Sequence, residues 1–249
     1  MTDQNLQEAK EIIAVGIAKI VGDYSDNALL INACFLAKER YENKKDTTHL
    51  STTQNIPVQL RLDNEIEVRY SNEDLVERYS KDVQNVVFKN YIVSIVSTVD
   101  ATLEDVYEHL LKSTNPNYID TELEKLIRNA WTNDNMLNFL TDPNGLNLTN
   151  PKNLNTEFRE AFMRYSELRI VRHTILHTEG KLSDKNLQKL QDNLNNTPND
   201  RKHFALANSP LFDNDNKIVL SINHILSLRQ YLDRFLMFIF RAIGEKIAA

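Results

Sequence analysis

One stretch of the chain concentrates groups that can do chemistry. Tyr165-Ser-Glu-Leu-Arg-Ile-Val-Arg-His-Thr-Ile-Leu-His-Thr-Glu-Gly180 packs two Arg, two His and two Glu into 16 residues. Leu168, Val171 and Ile175 recur at i, i+3 and i+7, the spacing of a helical core stripe. At about 100° per residue, Arg172 falls roughly 40° from Leu168, on the edge of that stripe. A partly buried guanidinium cannot shed its charge, so it needs an anion. Three readings of this helix stay open on its residues alone. In the first, Arg172 pairs with a carboxylate such as Glu167 or Glu179 and the histidines simply pack. In the second, His173 and His177, four apart on one face, ligate a metal. The intervening Thr-Ile-Leu lacks the glutamate of the zinc proteases, and no Cys or Asp cluster offers a third ligand. In the third, the helix does phosphodiester chemistry. A neutral imidazole takes the proton of a ribose 2′-OH, and a fixed guanidinium neutralises the pentacoordinate phosphate. Such a reaction needs no metal, because the 2′-oxygen is the nucleophile. One difficulty is geometric: Arg172 and His177 are five apart and diverge by about 140° on a straight helix. They converge if the helix distorts or if two protomers share the site.

Elements on either side must hold that helix. Thr156 is read as the cap of a helix from Glu157 to about Thr178, with Gly180 at the position after its end. Ser183 caps a shorter helix to Leu194. Ile222 to Lys246 forms a final amphipathic helix after a short strand over Lys217 to Ser221. Upstream, Leu6–Val21 and Asn27–Tyr41 read as two helices. Apolar residues alternate at 58, 60 and 62 and again at 66, 68 and 70, around Asp63-Asn64-Glu65, which predicts a β-hairpin. Ser71, with Asp74 three residues on, caps a long apolar segment from Glu73 to Lys112 that holds no Pro or Gly. That segment is one helix, or two with a break near Ser97 to Asp100. Asp120 caps a helix through Trp131, and the Asn-rich stretch 133–155 is a surface connection. The chain is therefore expected to be mainly α: a helical bundle with a small β-hairpin insertion. Residues 1–72 pack on the same core as a helical domain of residues 73–249.

Composition narrows the function classes. Five Gly in 249 residues argue against glycine-rich phosphate loops and dinucleotide folds. A single cysteine, Cys34, excludes a disulfide framework and a multi-Cys zinc site. The longest uninterrupted apolar run, Phe235 to Phe240, is six residues, against about 20 for a spanning helix. No membrane partner is therefore expected, and with a polar, acidic N-terminus the expected location is cytoplasmic. His49, His109, His203 and His224 are isolated and read as surface or capping residues. The net charge of −6 is uneven: residues 1–125 carry −9 and residues 126–249 carry +3. A polyanion would meet less repulsion on the second half.

Arg172-His173-Thr174-Ile175-Leu176-His177 resembles the R-x4–6-H motif of the HEPN superfamily, including the polar residue directly after the Arg. Its setting is also similar: the end of a long helix, after an acidic residue (Glu167) and before a Gly turn. The surroundings resemble the larger HEPN proteins of prokaryotic defence and toxin systems, such as the RiboL-PSP group. In those, an earlier long helix carries an acidic segment, here similar to Ser97-Thr-Val-Asp-Ala-Thr-Leu-Glu104. The resemblance covers about residues 73–246. It implies a HEPN-like helical bundle, often dimeric, acting as a metal-independent endoribonuclease. Arg172 and His177 would be the catalytic pair, His173 the polar accessory residue, and Glu167 would orient Arg172 or the His. RNA would be the substrate and a second copy the partner, with an antitoxin or regulatory partner in a toxin or anti-phage role. No cofactor and no metal are implied. A non-catalytic HEPN-like dimer that binds RNA or protein is the alternative.

Overall fold

The computed structural model describes residues 2–44, 50–51, 57–60 and 69–249. The protein is mainly α. The helices are α1 (Asp3–Glu42), α2 (Asn72–Glu77), α3 (Val83–Thr114), α4 (Asp120–Arg128), α5 (Asn135–Thr141), α6 (Phe158–His177), α7 (Asp184–Asn195) and α8 (Ile222–Ile247). A π-helical turn over Arg78–Asp82 joins α2 to α3, and 3-10 turns span Asn199–Phe204 and Leu206–Asn208. The chain divides into two compact units, residues 1–23 with 91–249 and residues 24–90. The expected boundary between 1–72 and 73–249 falls inside the second unit.

In the first unit, α1, α3, α6 and α8 supply the core. Ile13, Ile20, Ile95, Val96, Val99, Leu110, Tyr165, Leu232, Leu236 and Ile239 are all closed to solvent. Each large side chain so buried is worth about 1.5–3 kcal/mol. α1 crosses α3 closely at Gly16, where an added Cβ would lie 2.5 Å from the Thr102 side chain. α6 and α8 meet through rings: Phe158 edge-on to Phe238 at 4.8 Å, and Tyr165 stacked on Phe235 at 4.7 Å. The second unit buries Ile31, Cys34, Leu75 and Phe88. Tyr41 stacks on Tyr79 there, and Arg78 lies over the Tyr70 ring. Ser71 and Asp74 form the expected capping box at α2.

Several boundaries differ from the sequence reading, each for a local reason. The two expected N-terminal helices are one. Gly22 sits in open space and costs α1 only propensity, about 1 kcal/mol, so nothing ends the helix there. No break occurs near Ser97 to Asp100: Ile95, Val96, Val99 and Leu103 are all buried there, and the hydroxyls of Ser97 and Thr102 are satisfied within the helix by the carbonyls of Val93 and Thr98. The irregularity falls at residues 78–82 instead. The hairpin at 58–70 is not formed as read. Val58–Leu60 is a 3-10 turn, and Arg69–Tyr70 pairs antiparallel with Leu50–Ser51. The expected turn at 63–65 lies outside the described residues. Lys217 and Ile218 make only isolated bridges, to Lys181 and Phe212, rather than a strand.

Helix caps moved as well. Asp120 is the first residue of α4, with Ile119 at its cap, and that helix stops at Arg128. Glu157, not Thr156, occupies the α6 cap; its side chain makes no cap bond, and Asn150 Oδ1 accepts from the Phe158 N–H instead. At the other end, Glu179 takes the left-handed conformation (φ 53°), and Gly180 follows it at φ 91°. The Gly180 N–H reaches back to the Thr174 carbonyl and closes the helix. Ser183 caps α7 as read, accepting from the Asn186 N–H. The continuous helix Asn72–Thr114 is the one described helix long and apolar enough to cross a membrane by length and composition. Of its most apolar window, 56% is buried inside the protein.

Candidate functional site

α6 is the helix that carries the chemistry, and three of its turns face different surroundings. Its first half is anchored in the interior by a buried ion pair, Arg164 Nη1 to Glu167 Oε1 at 2.6 Å. The second Glu167 oxygen accepts from the Leu206 N–H at 3.0 Å, and Arg164 Nη2 reaches the Thr197 hydroxyl. These bonds fasten α6 to the chain beyond α7. Burial pushes the Glu167 carboxyl up, against the downward pull of the Leu206 N–H and Arg164. Glu167 is therefore not the residue that orients Arg172 or a histidine. It points inward, and both its oxygens are taken.

The carboxylate that does hold Arg172 comes from α3. Asp100 Oδ2 accepts from Arg172 Nη1 at 2.8 Å. Asp100 Oδ1 accepts from the Tyr165 hydroxyl at 2.7 Å and lies 2.9 Å from Arg169 Nε. Asp100 is almost closed to solvent, whereas both guanidinium side chains stay about a third exposed. One carboxylate thus faces two guanidiniums, so the cluster keeps a net positive charge. Burial, and then the neighbouring Asp100 carboxylate, hold the Tyr165 hydroxyl well above its ordinary value and keep it a donor. The Arg169 guanidinium also lies over the Trp131 ring at 4.2 Å, and the Trp131 indole N–H donates to Glu104 Oε1 at 2.7 Å. Both acidic residues of the 97–104 segment that face α6 or Trp131 thus support the arginines, Asp100 directly and Glu104 through the indole.

Arg172, His173 and His177 line one open cleft of about 730 Å³ between α6 and α7. Both histidines are exposed, and their ring centroids stand 4.5 Å apart. α6 stays α-helical to His177, so Arg172 and His177, five residues apart, leave its axis about 140° from each other, although both reach the edge of the same cleft. Among the described residues, no third His, Cys, Asp or Glu joins the two histidines in a metal-binding group. Glu179, the other carboxylate considered for Arg172, is exposed beyond the helix end. His224 caps α8 through Ser221, and His109 Nε2 donates to the Asn5 carbonyl. His203 packs on Phe204. His49 lies outside the described residues.

Arg169, Trp131 and the lysines of α7 escaped the sequence reading. Arg169 and Arg172 are i, i+3 and so neighbours on one helix edge, the one sequence signal for a paired guanidinium site. In comparisons with known proteins, no family model, no curated protein and no solved structure matches the chain.

Proposed function

We propose that this protein is a metal-independent endoribonuclease of HEPN type, acting as a homodimer in a toxin or anti-phage role. One observation carries the reading. Arg172 is held by Asp100 yet still lines, with His173 and His177, an open cleft. A guanidinium sealed inside the bundle would have had structure as its whole role. In the reaction, neutral His177 takes the proton of a ribose 2′-OH. The 2′-oxygen bonds to phosphorus, the bond to the 5′-oxygen breaks, and a 2′,3′-cyclic phosphate remains. The leaving 5′-oxygen takes a proton from His173, when that imidazole is protonated, or from water. Arg172 stabilises the charge on the phosphoryl oxygens, its orientation set beforehand by Asp100. The angle of about 140° between Arg172 and His177 on one α-helix favours a composite site, with Arg172 of one protomer and His177 of its partner acting on one phosphate. The test is cleavage of a mixed RNA pool in EDTA by wild type, Arg172→Ala and His177→Ala, with the mass in solution measured alongside. Cleavage by the wild type alone, as a dimer, supports the proposal. A magnesium requirement, or cleavage by a strict monomer, contradicts the mechanism or the shared site.

A second reading is a non-catalytic RNA-binding dimer, favoured by the Arg172 nitrogen spent on Asp100. It predicts RNA retention that survives His177→Ala, and no cleavage by the wild type.

A further inference from the structure

α7 sorts its charges by face. Its four ionisable residues, Asp184, Lys185, Lys189 and Asp192, sum to zero. Yet Lys185 and Lys189 both line the cleft opposite Arg169 and Arg172, while Asp184 does not. Asp192, held by the Gln188 side chain amide, is the one acid on that wall. Two lysines at i, i+4 repel each other by a few tenths of a kcal/mol. Among the described residues, neither is paired with a carboxylate. The first turn of α7 opens on the same cleft through Ser183 and Asn186, adding the positive end of the helix dipole. This concentration of positive charge sits in a protein whose net charge is −6.

The groove continues past Arg169 into a second cleft of about 640 Å³ along the first half of α6. The two share Trp131, Ser166, Arg169 and Asn193. Besides the shared Arg169, the continuation is lined by four acids, Asp134, Glu157, Glu160 and Asp200, and by two cations, Arg159 and Arg201, of which Arg201 is held by Glu160. Leaving Arg169 itself aside, the formal charge is +2 on the α7 side (Arg172, Lys185 and Lys189 against Asp192) and −2 on the other, so a polyanion is favoured on the α7 side.

We propose that the α6–α7 cleft is the track for the sugar–phosphate backbone of single-stranded RNA. Lys185 and Lys189 contact the phosphates flanking the one held by Arg172, and Arg169 marks the end of the track. This rests on the reading that RNA is the ligand, but not on cleavage. A single strand suits the site because its phosphates can follow a groove one strand wide.

The test uses the full chain carrying His177→Ala and a labelled twelve-nucleotide oligouridine, with binding followed by fluorescence anisotropy from 50 to 200 mM salt. Lys185→Gln/Lys189→Gln is compared with Lys19→Gln/Lys125→Gln, which removes the same charge from exposed sites outside both clefts. Each lost phosphate contact lowers the salt slope by about 0.7 on a single strand. The α7 pair is therefore expected to reduce the slope by about 1.4 and the affinity about 25-fold at 0.1 M salt. The control pair should move neither, and an oligomer of the same sequence with an uncharged backbone should not bind. Equal behaviour of the two pairs, binding of the uncharged oligomer, or no binding at 50 mM salt overturns the track. The two proposals fail separately. His177-dependent cleavage with an unimportant α7 pair rejects the track alone. Binding that needs the α7 pair, with an inert wild type, rejects the nuclease alone.

Discussion

Replacing Asp100 with alanine removes one carboxylate from three partners at once, and the structure sets the size of the loss. Arg172 Nη1 and the Tyr165 hydroxyl lose acceptors at 2.8 and 2.7 Å, and Arg169 loses an ion pair at 2.9 Å. Hydrogen bonds to charged groups are worth about 1.5–3 kcal/mol each when buried. Both arginines keep about a third of their side chains in water, which brings each pair down to about 1 kcal/mol. The Tyr165 hydroxyl is fully buried, but the Val96 carbonyl at 3.1 Å offers a second acceptor. Its share is therefore also about 1 kcal/mol rather than the roughly 3 kcal/mol of an orphaned group. The total is about 3 kcal/mol, a fall in Tm of about 6–12 °C for a chain of this size. Asp100→Asn keeps an acceptor and should lose about half as much. Thermal unfolding followed by far-UV circular dichroism reads both. A double-mutant cycle with Arg172→Ala should return a coupling of about 1 kcal/mol. An Asp100→Ala melting curve within 2 °C of wild type, or a coupling near zero, would refute Asp100 as the anchor of the cluster.

Four further substitutions test the helix packing, the start of α6 and the buried carboxylate. Gly16→Ala and Gly22→Ala are the same change in the same helix with opposite expected signs. Gly22→Ala gains about 1 kcal/mol of helix propensity in open space, whereas Gly16→Ala drives a Cβ into the buried Thr102 side chain and should lose about 1–2 kcal/mol net; denaturant titration distinguishes them. Asn150→Ala removes the acceptor at the start of α6 and should cost about 1 kcal/mol in the same titration. Because burial raises the Glu167 carboxyl, the folded chain holds that proton more tightly than the unfolded chain. Its contribution is complete below the ordinary carboxylate value and is lost as pH rises through the raised one. Tm should therefore fall more, or rise less, from pH 4 to 7 in the wild type than in Glu167→Gln; parallel profiles would remove the argument.

The helical plan was legible because apolar periodicity and caps such as Ser71 and Ser183 are local signals. What misled the reading was also local. Gly22 looks like a break but costs only helix propensity, the Ser97–Asp100 stretch looks like one until its buried neighbours are counted, and alternating residues at 58–62 mimic a strand. In the site, the edge position of Arg172 on its helix correctly demanded a partly buried guanidinium with an anion. Which anion could not be read from the helix itself. Glu167 is nearest in sequence but turns inward to Arg164, while Asp100 arrives from 72 residues away. Long-range partners leave no periodic trace in a single chain. Within the family resemblance, only the acidic character of 97–104 pointed to that segment, and the α7 lysines looked like an ordinary solvated face.

The central claim is that the exposed edge of α6 cleaves RNA through the 2′-hydroxyl. The most direct measurement is end-group analysis of a labelled RNA cut in EDTA, beside the same RNA with a 2′-O-methyl group at the cut position. The account predicts 2′,3′-cyclic phosphate ends on the first and no cleavage at the blocked position of the second. Ends bearing a 3′-hydroxyl, or equal cleavage of the blocked strand, would contradict it.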